Sequence, residues 1–146
     1  MNVYESDSIP FLLSRVMRLH RNRVHGLIQD YEVHPGQPPL LHHLAEQDGQ
    51  RQSELADKLR VKPATLTVMI NRMAKMGLLE RRPDPQDQRI SRVYLTAKGR
   101  LAHEAVREAL REMEQVTMAR ISPEEKLLLR RLLLQMYENL QEPNPD

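Results

Sequence analysis

The sequence predicts a mainly α fold with one small β-hairpin past its middle, and three observations lead there. Apolar residues recur at threes and fours along most of the chain, the period of a helix buried along one stripe. Aromatic residues make up only 3% of the composition, so Leu, Val, Ile, Ala and Met must fill the interior. Residues 78–82 and 90–95 can each run as a short strand on either side of a polar stretch, 83–89, rich in Pro and Asp.

Ile9, Leu12, Leu13, Val16, Leu19, Val24, Leu27, Ile28 and Tyr31 mark the apolar side of a long first helix. Asp7 and Ser8 are its N-cap candidates, and His34-Pro35-Gly36 lies beyond its end. Pro38-Pro39 offers a start for a short second helix, Leu40 to about Gln47, which Asp48-Gly49 stops. A third runs from Gln52 to Leu59. After the connection Arg60-Val61-Lys62, Pro63 stands where a first helical residue needs no amide hydrogen, and a fourth helix follows. Its inward stripe is Leu66, Met69, Ile70 and Met73, with Ala74 beside it, and Gly77 closes it.

Thr96 caps a fifth helix with Leu101, Ala105, Val106, Ala109, Leu110, Met113 and Val116 as its expected buried face. Ser122-Pro123-Glu124-Glu125 joins an N-cap, a first-turn proline and a returning Glu, and opens a last helix to about Leu140. The apolar positions 127, 128, 129, 132, 133, 134, 136, 137 and 140 make a stripe too wide for one contact face. That helix is expected to pack on its own core and on a partner subunit. The alternative is burial of both faces within one chain.

With 146 residues the chain is long enough for one core and short for two, so 1–146 is expected to be a single domain. Within it, 38–100 would form a central lobe, flanked by helices in 1–34 and 101–141 and ended by a polar tail. The absence of Cys excludes disulfides and thiolate metal sites. No secretory leader is read at the N-terminus, and the longest apolar runs are far too short to span a bilayer, so a cytoplasmic protein with no membrane partner is expected.

Charge is unevenly placed. Residues 51–100 carry 12 Lys+Arg against 5 Asp+Glu, a net of +7, whereas 1–50 and 101–146 carry −2 and −3. A basic middle between two acidic flanks suits a polyanion-binding surface on a scaffold, although charge runs are often only solvated faces. Two short helices at a tight connection, followed by a charged hairpin, have the order of a helix-turn-helix with a β-wing, whose second helix enters the major groove.

Placing the apolar stripe of the fourth helix inward turns Ala64, Thr65, Thr67, Val68, Asn71, Arg72 and Lys75 outward. Asn71 can pair with an adenine edge, Thr65 and Thr67 can donate to bases or phosphates, and Ala64 and Val68 can meet a thymine methyl. Arg72 and Lys75 suit phosphate, as do Gln52 at the start of the third helix and Arg92 in the wing. A solvated helix face is the bland alternative.

At these residues the chain resembles the MarR-type winged helix-turn-helix regulators, over nearly its whole length. The resemblance is carried by Gln52-Ser53-Glu54-Leu55-Ala56-Asp57-Lys58-Leu59, Val61-Lys62-Pro63-Ala64-Thr65-Leu66-Thr67, Ile70-Asn71-Arg72-Met73 and Gly77-Leu78-Leu79-Glu80-Arg81. The wing is matched by Asp87-Gln88-Arg89 and Val93-Tyr94-Leu95-Thr96-Ala97-Lys98-Gly99. It implies a homodimer whose outer helices dimerise, binding a pseudopalindromic duplex operator, most simply as a repressor. It also implies that Arg89 enters the minor groove while Asp87 orients the wing through an ion pair, and a narrow A·T-rich groove does attract Arg. Lys62 and Arg51 depart from the pattern, standing where the family often has a capping Ser or Thr. Each adds a cation near the expected phosphate path.

Members of that family often hold a small anionic or aromatic effector in a cleft between the dimerisation helices and the DNA-binding lobe. His20, Arg23 and His42 are the candidates for such a cleft here. Metal-sensing relatives suggest a zinc reading, with His42 and Glu46 on one helix face and His103 nearby, but the ligand set is incomplete and no metal or other cofactor is expected. A winged-helix protein-interaction module is the rival from another class. An enzyme is not expected, because no phosphate loop, activated nucleophile or catalytic metal spacing is present.

Overall fold

The computed structural model describes residues 7–34 and 36–141. The first six residues, Pro35 in the predicted stop of the first helix and the tail from 142 onward lie outside the described residues. The elements in chain order are α1 (Ile9–Ile28), a single 3-10 turn (Gln29–Tyr31), α2 (Pro38–Glu46), β1 (Gln50–Arg51), α3 (Gln52–Leu59), α4 (Pro63–Lys75), β2 (Leu79–Pro83), β3 (Ser91–Leu95), α5 (Ala97–Thr117) and α6 (Pro123–Gln141). All six predicted helices and both predicted strands are found. The short strand β1 was not expected, because two residues carry no periodicity.

The chain divides into two compact units, Met1–Met113 and Glu114–Asp146, with the division inside α5. In the first unit, Leu40, Leu41 and Leu44 of α2, Leu55 of α3, and Leu66, Ile70 and Met73 of α4 are fully buried with Leu78 and Val93. These residues form one core with the end of α1 (Val24, Ile28) and one side of α5 (Ala102, Val106, Ala109, Met113). The three strands form an antiparallel sheet in the order β1-β3-β2, with Gln50 opposite Val93 and Leu79 opposite Leu95.

Two glycines fix how the wing leaves the helices. Gly77 follows α4 at φ +74, a left-handed conformation that L side chains rarely adopt. It lets Leu78 N–H return to Met73 C=O at 2.9 Å. Gly99 sits in the first turn of α5 so close to the residue leading into β2 that a Cβ there would stand 2.0 Å from the Leu78 carbonyl oxygen. As expected, Thr96 caps this helix, its Oγ1 accepting the Gly99 N–H at 3.0 Å.

The apolar stripe of α1 lies mostly in solvent, and the expected buried face of α5 needs correction. Only Val24 and Ile28 are buried in α1, while Ile9, Leu12, Leu13, Val16, Leu19, Leu27 and Tyr31 are exposed. In α5 the buried side is Gly99, Ala102, Val106, Ala109 and Met113. Leu101, Leu110 and Val116, expected inside, are exposed, and Ala105 is half-buried. The physical reason is that small residues allow close packing, whereas periodicity registers every apolar residue alike.

In the second unit α6 begins as expected, with a reciprocal capping box. Ser122 N–H donates to the Glu125 carboxylate at 2.8 Å, and Glu125 N–H donates to Ser122 Oγ at 3.2 Å. No residue of α6 is buried, and Leu127 and Leu140 are 72% and 86% exposed. Among the described residues no helix is long and apolar enough to cross a membrane.

Candidate nucleic-acid interface

The tight connection between α3 and α4 is made by Arg60, which adopts the left-handed conformation (φ 52) and ends α3. Val61 N–H then reaches the Ala56 carbonyl at 3.1 Å, and Lys62 turns extended as the N-cap of α4. No side chain caps α4, and Pro63 needs no acceptor for its first position. At α3 the oxygen that Arg51 lacks is partly replaced from the other direction. The Glu54 carboxylate accepts the Arg51 N–H at 3.2 Å, leaving the exposed guanidinium uninvolved in that bond.

Leu66, Ile70 and Met73 face the core and Met69 packs partly against it, which turns the opposite row outward. Ala64, Val68, Asn71 and Lys75 follow one another at helical spacing and are all exposed, Val68 by 51%. Thr65 and Arg72 flank them and are also exposed. Thr67 is half-buried on the other flank, and its hydroxyl is occupied in both senses. It donates to the Pro63 carbonyl at 3.0 Å and accepts from Gln52 Nε2 at 2.6 Å, so Gln52 and Thr67 clasp α3 to α4. Asn71 Oδ1 accepts from Arg81 Nη1, on β2, at 2.5 Å.

The wing is built around Asp84, which is 5% exposed. Its carboxylate accepts from Gln86 N–H at 2.8 Å, Asp87 N–H at 3.2 Å and Arg92 Nε at 2.5 Å. These bonds, led by that from Arg92, hold its pKa below the ordinary carboxylate value. Arg92 also donates to the Gly49 carbonyl at 2.8 Å, so the guanidinium expected at phosphate is engaged between the wing loop and the segment entering β1. At the tip the Asp87 carboxylate takes Arg89 in a fork, from Nε and Nη2 at 3.0 Å each. The Arg89 side chain is 91% exposed, and its hydrogen bonds lower the Asp87 pKa. The expected ion pair is thus formed, with the guanidinium projecting from the tip.

Among the other charged residues of this surface, Arg82 carried no sequence signal beyond the basic middle third, and Arg81 none beyond its place in the family pattern. Arg81, Arg82 and Arg89 line a shallow cleft of about 260 Å³ in the wing together with Pro83, Gln88 and Ile90, and Arg82 lies over the Tyr94 ring at 4.5 Å. Asp48, read only as a turn residue, accepts from Leu95 N–H at 2.9 Å and from Arg100 at 2.7 Å, joining the turn before β1 to the end of β3 and to α5. A second cleft, about 370 Å³, lies beside α4 and is lined by His34, Gln37, Thr65, Val68, Met69 and Arg72. His20, Arg23 and His42 line neither cleft. His42 instead stacks on His103 with ring centroids 6.0 Å apart, and His103 is pushed down in pKa mainly by burial. Among the described residues no three His, Asp or Glu converge on a point where a metal would sit.

A helix-turn-helix whose second helix shows a mixed polar, apolar and cationic face beside a β-wing with an Arg at its tip defines a winged-helix protein. The chain matches the family model described as MarR family over residues 35–91. It is 31% identical over 123 residues to YsmB of Bacillus subtilis (strain 168), an uncharacterised HTH-type transcriptional regulator, covering 81% of this chain and 84% of YsmB. It is 25% identical over 139 residues to IacR of Pseudomonas putida, an HTH-type transcriptional repressor, covering 94% and 83%. YdgJ, another uncharacterised B. subtilis regulator, is 32% identical over 101 residues; the match takes in 69% of this chain but spans only 60% of YdgJ's length. Among solved structures, the S. aureus MepR–DNA complex shares the fold at a TM-score of 0.79 and 23% identity, covering 94% of this chain and 99% of MepR. The chain belongs to the MarR family.

Proposed function

We propose that this MarR family transcriptional regulator binds a pseudopalindromic duplex operator as a homodimer in the cytoplasm and represses transcription by occupying it. The single observation that carries this reading is the outward row of α4, Ala64, Val68, Asn71 and Lys75, presented beside a wing whose tip Arg89 is held by Asp87. In the reading, Ala64, Thr65, Val68 and Asn71 meet base edges in the major groove, and Thr67 offers its methyl, its hydroxyl being engaged. Arg51, Lys62, Arg72 and Lys75 meet phosphate. Arg89 enters the minor groove. Arg92 and Gln52, expected at phosphate, are better suited by their bonds to brace the wing and the helix pair.

The lobe from 38 to 100 reads DNA, and exposed apolar residues of α1 and of α6 supply dimer contacts. Repression follows the reading made for IacR, and action is by occupancy rather than catalysis. A small anionic or aromatic effector that prefers a dimer with mis-spaced reading helices lowers DNA affinity by its differential affinity for that state.

Selection of bound genomic fragments by the purified protein, followed by titration at increasing salt, tests this. Enrichment of a two-fold symmetric motif with half-sites about one turn, roughly 10–10.5 bp, apart is expected. If about eight phosphates are neutralised per dimer, log affinity falls against log salt with a slope near −7. No enrichment, or an affinity indifferent to salt, would favour the protein-interaction module instead.

A further inference from the structure

The geometry points to Arg81 as the residue that decides how Asn71 reads a base. The inference rests on the duplex-binding reading above. A surface amide can turn either its oxygen or its NH₂ toward a ligand, because rotation about its last torsion exchanges the two ends. Arg81 removes that freedom. A guanidinium only donates, so the bond to Asn71 Oδ1 at 2.5 Å selects the orientation with the oxygen toward the wing.

The placement of Arg81 is itself fixed. It stands opposite Val93 in the sheet, two residues after Leu79, and Leu78 N–H ties the start of that strand to the Met73 carbonyl of α4. Its neighbour Glu80 does not compete for it, because Glu80 pairs with Arg82. Among the described residues nothing bonds the Asn71 NH₂ group, which is left on the exposed row between Val68 and Lys75.

Asn71 is therefore set as a donor. It suits a base that shows an acceptor in the major groove, the N7 of either purine, guanine O6 or thymine O4, and it disfavours cytosine, whose N4 is a donor. Arg81 acts through Asn71 as a positioning residue for specificity.

The test is selection of bound sequences, with competition binding at the position that Asn71 faces, for the full chain and for Arg81→Met, Asn71→Ala and Asn71→Asp. Discrimination against cytosine there is expected to fall roughly tenfold in Arg81→Met, nearly to the level of Asn71→Ala, with the rest of the motif kept. Asn71→Asp keeps a partner for Arg81 but has no donor, and is expected to turn the preference toward cytosine. Should Arg81→Met fold poorly, as read by its melting temperature, Arg81→Gln takes its place with the same fall expected, because an amide can both donate and accept and no longer selects one orientation of Asn71. An unchanged motif with affinity lowered alike for all sequences in Arg81→Met, or an unchanged base in Asn71→Asp, overturns the inference and leaves the regulator reading intact. A wild-type chain that selects no duplex overturns both.

Discussion

A carboxylate taken almost wholly out of water must be met by donors, and Asp84 is met by two backbone N–H groups and the Arg92 guanidinium. The bond from Arg92 leads the fall in its pKa, as that from Arg89 does for Asp87. Because both folded pKa values lie below the ordinary value near 3.9, the stabilisation is complete above about pH 4 and is lost as pH falls through the lowered values. Side-chain Nε–H resonances of Arg89 and Arg92 should keep their shifts from pH 7 down to about pH 4 and move only below it. Movement already between pH 6 and 5 would show that the wing is not held this way. The Thr67 hydroxyl makes a second residue-scale prediction, since it serves the α3–α4 clasp. Thr67→Val should cost about 1 kcal/mol in denaturant unfolding and leave the selected motif nearly unchanged; a changed motif with unchanged stability would return the hydroxyl to base reading.

Among the elements, α5 is held against Leu78, the residue that leads into β2, by the absence of a side chain. A methyl at Gly99 would meet the Leu78 carbonyl oxygen, which belongs to backbone and cannot swing aside. Gly99→Ala should therefore destabilise the fold by about 1–3 kcal/mol or more, read as a lower urea midpoint at constant m-value. A neutral result would mean that α5 shifts along the sheet at little cost. The same junction carries Asp48, whose two oxygens hold Leu95 and Arg100. Wing, turn and α5 thus share one set of bonds, and the strand that completes them, β1, is only Gln50–Arg51. Gln50 is 2% exposed and donates to the His43 and Gln47 carbonyls at 2.6 Å each, so a polar side chain of β1 anchors the end of α2.

For the whole molecule the leading quantity is apolar surface left in water. Leu128, Leu132 and Tyr137 of α6 are exposed, as are Leu12, Val16 and Leu19 of α1, and soluble monomers seldom show such extended patches. In the homodimer reading a second copy covers them. The double substitution Leu128→Glu and Leu132→Glu should convert the protein to a monomer by sedimentation and lower operator affinity at least tenfold, with the helix content of the remaining fold kept. A variant that stays dimeric would place the interface elsewhere.

How much of this was legible in the residues depends on the range of the interaction concerned. Helix positions, the strand pair, the Gly77 stop, the Thr96 and Ser122 caps and the inward stripe of α4 follow from bonds and periods spanning a few residues, and the sequence by itself determined them. The exposed row of α4 was legible for the same reason, whereas an ion pair made by Asp87 was implied only by the family resemblance, and its partner, Arg89, came from the structure. Tertiary structure alone decided which side of α5 is buried, that β1 exists, that Arg92 and Gln52 brace rather than project, and that Arg81 meets Asn71 across 10 positions of sequence. A side chain that can reach phosphate can also reach a carboxylate brought beside it by folding, and only the fold says which is near.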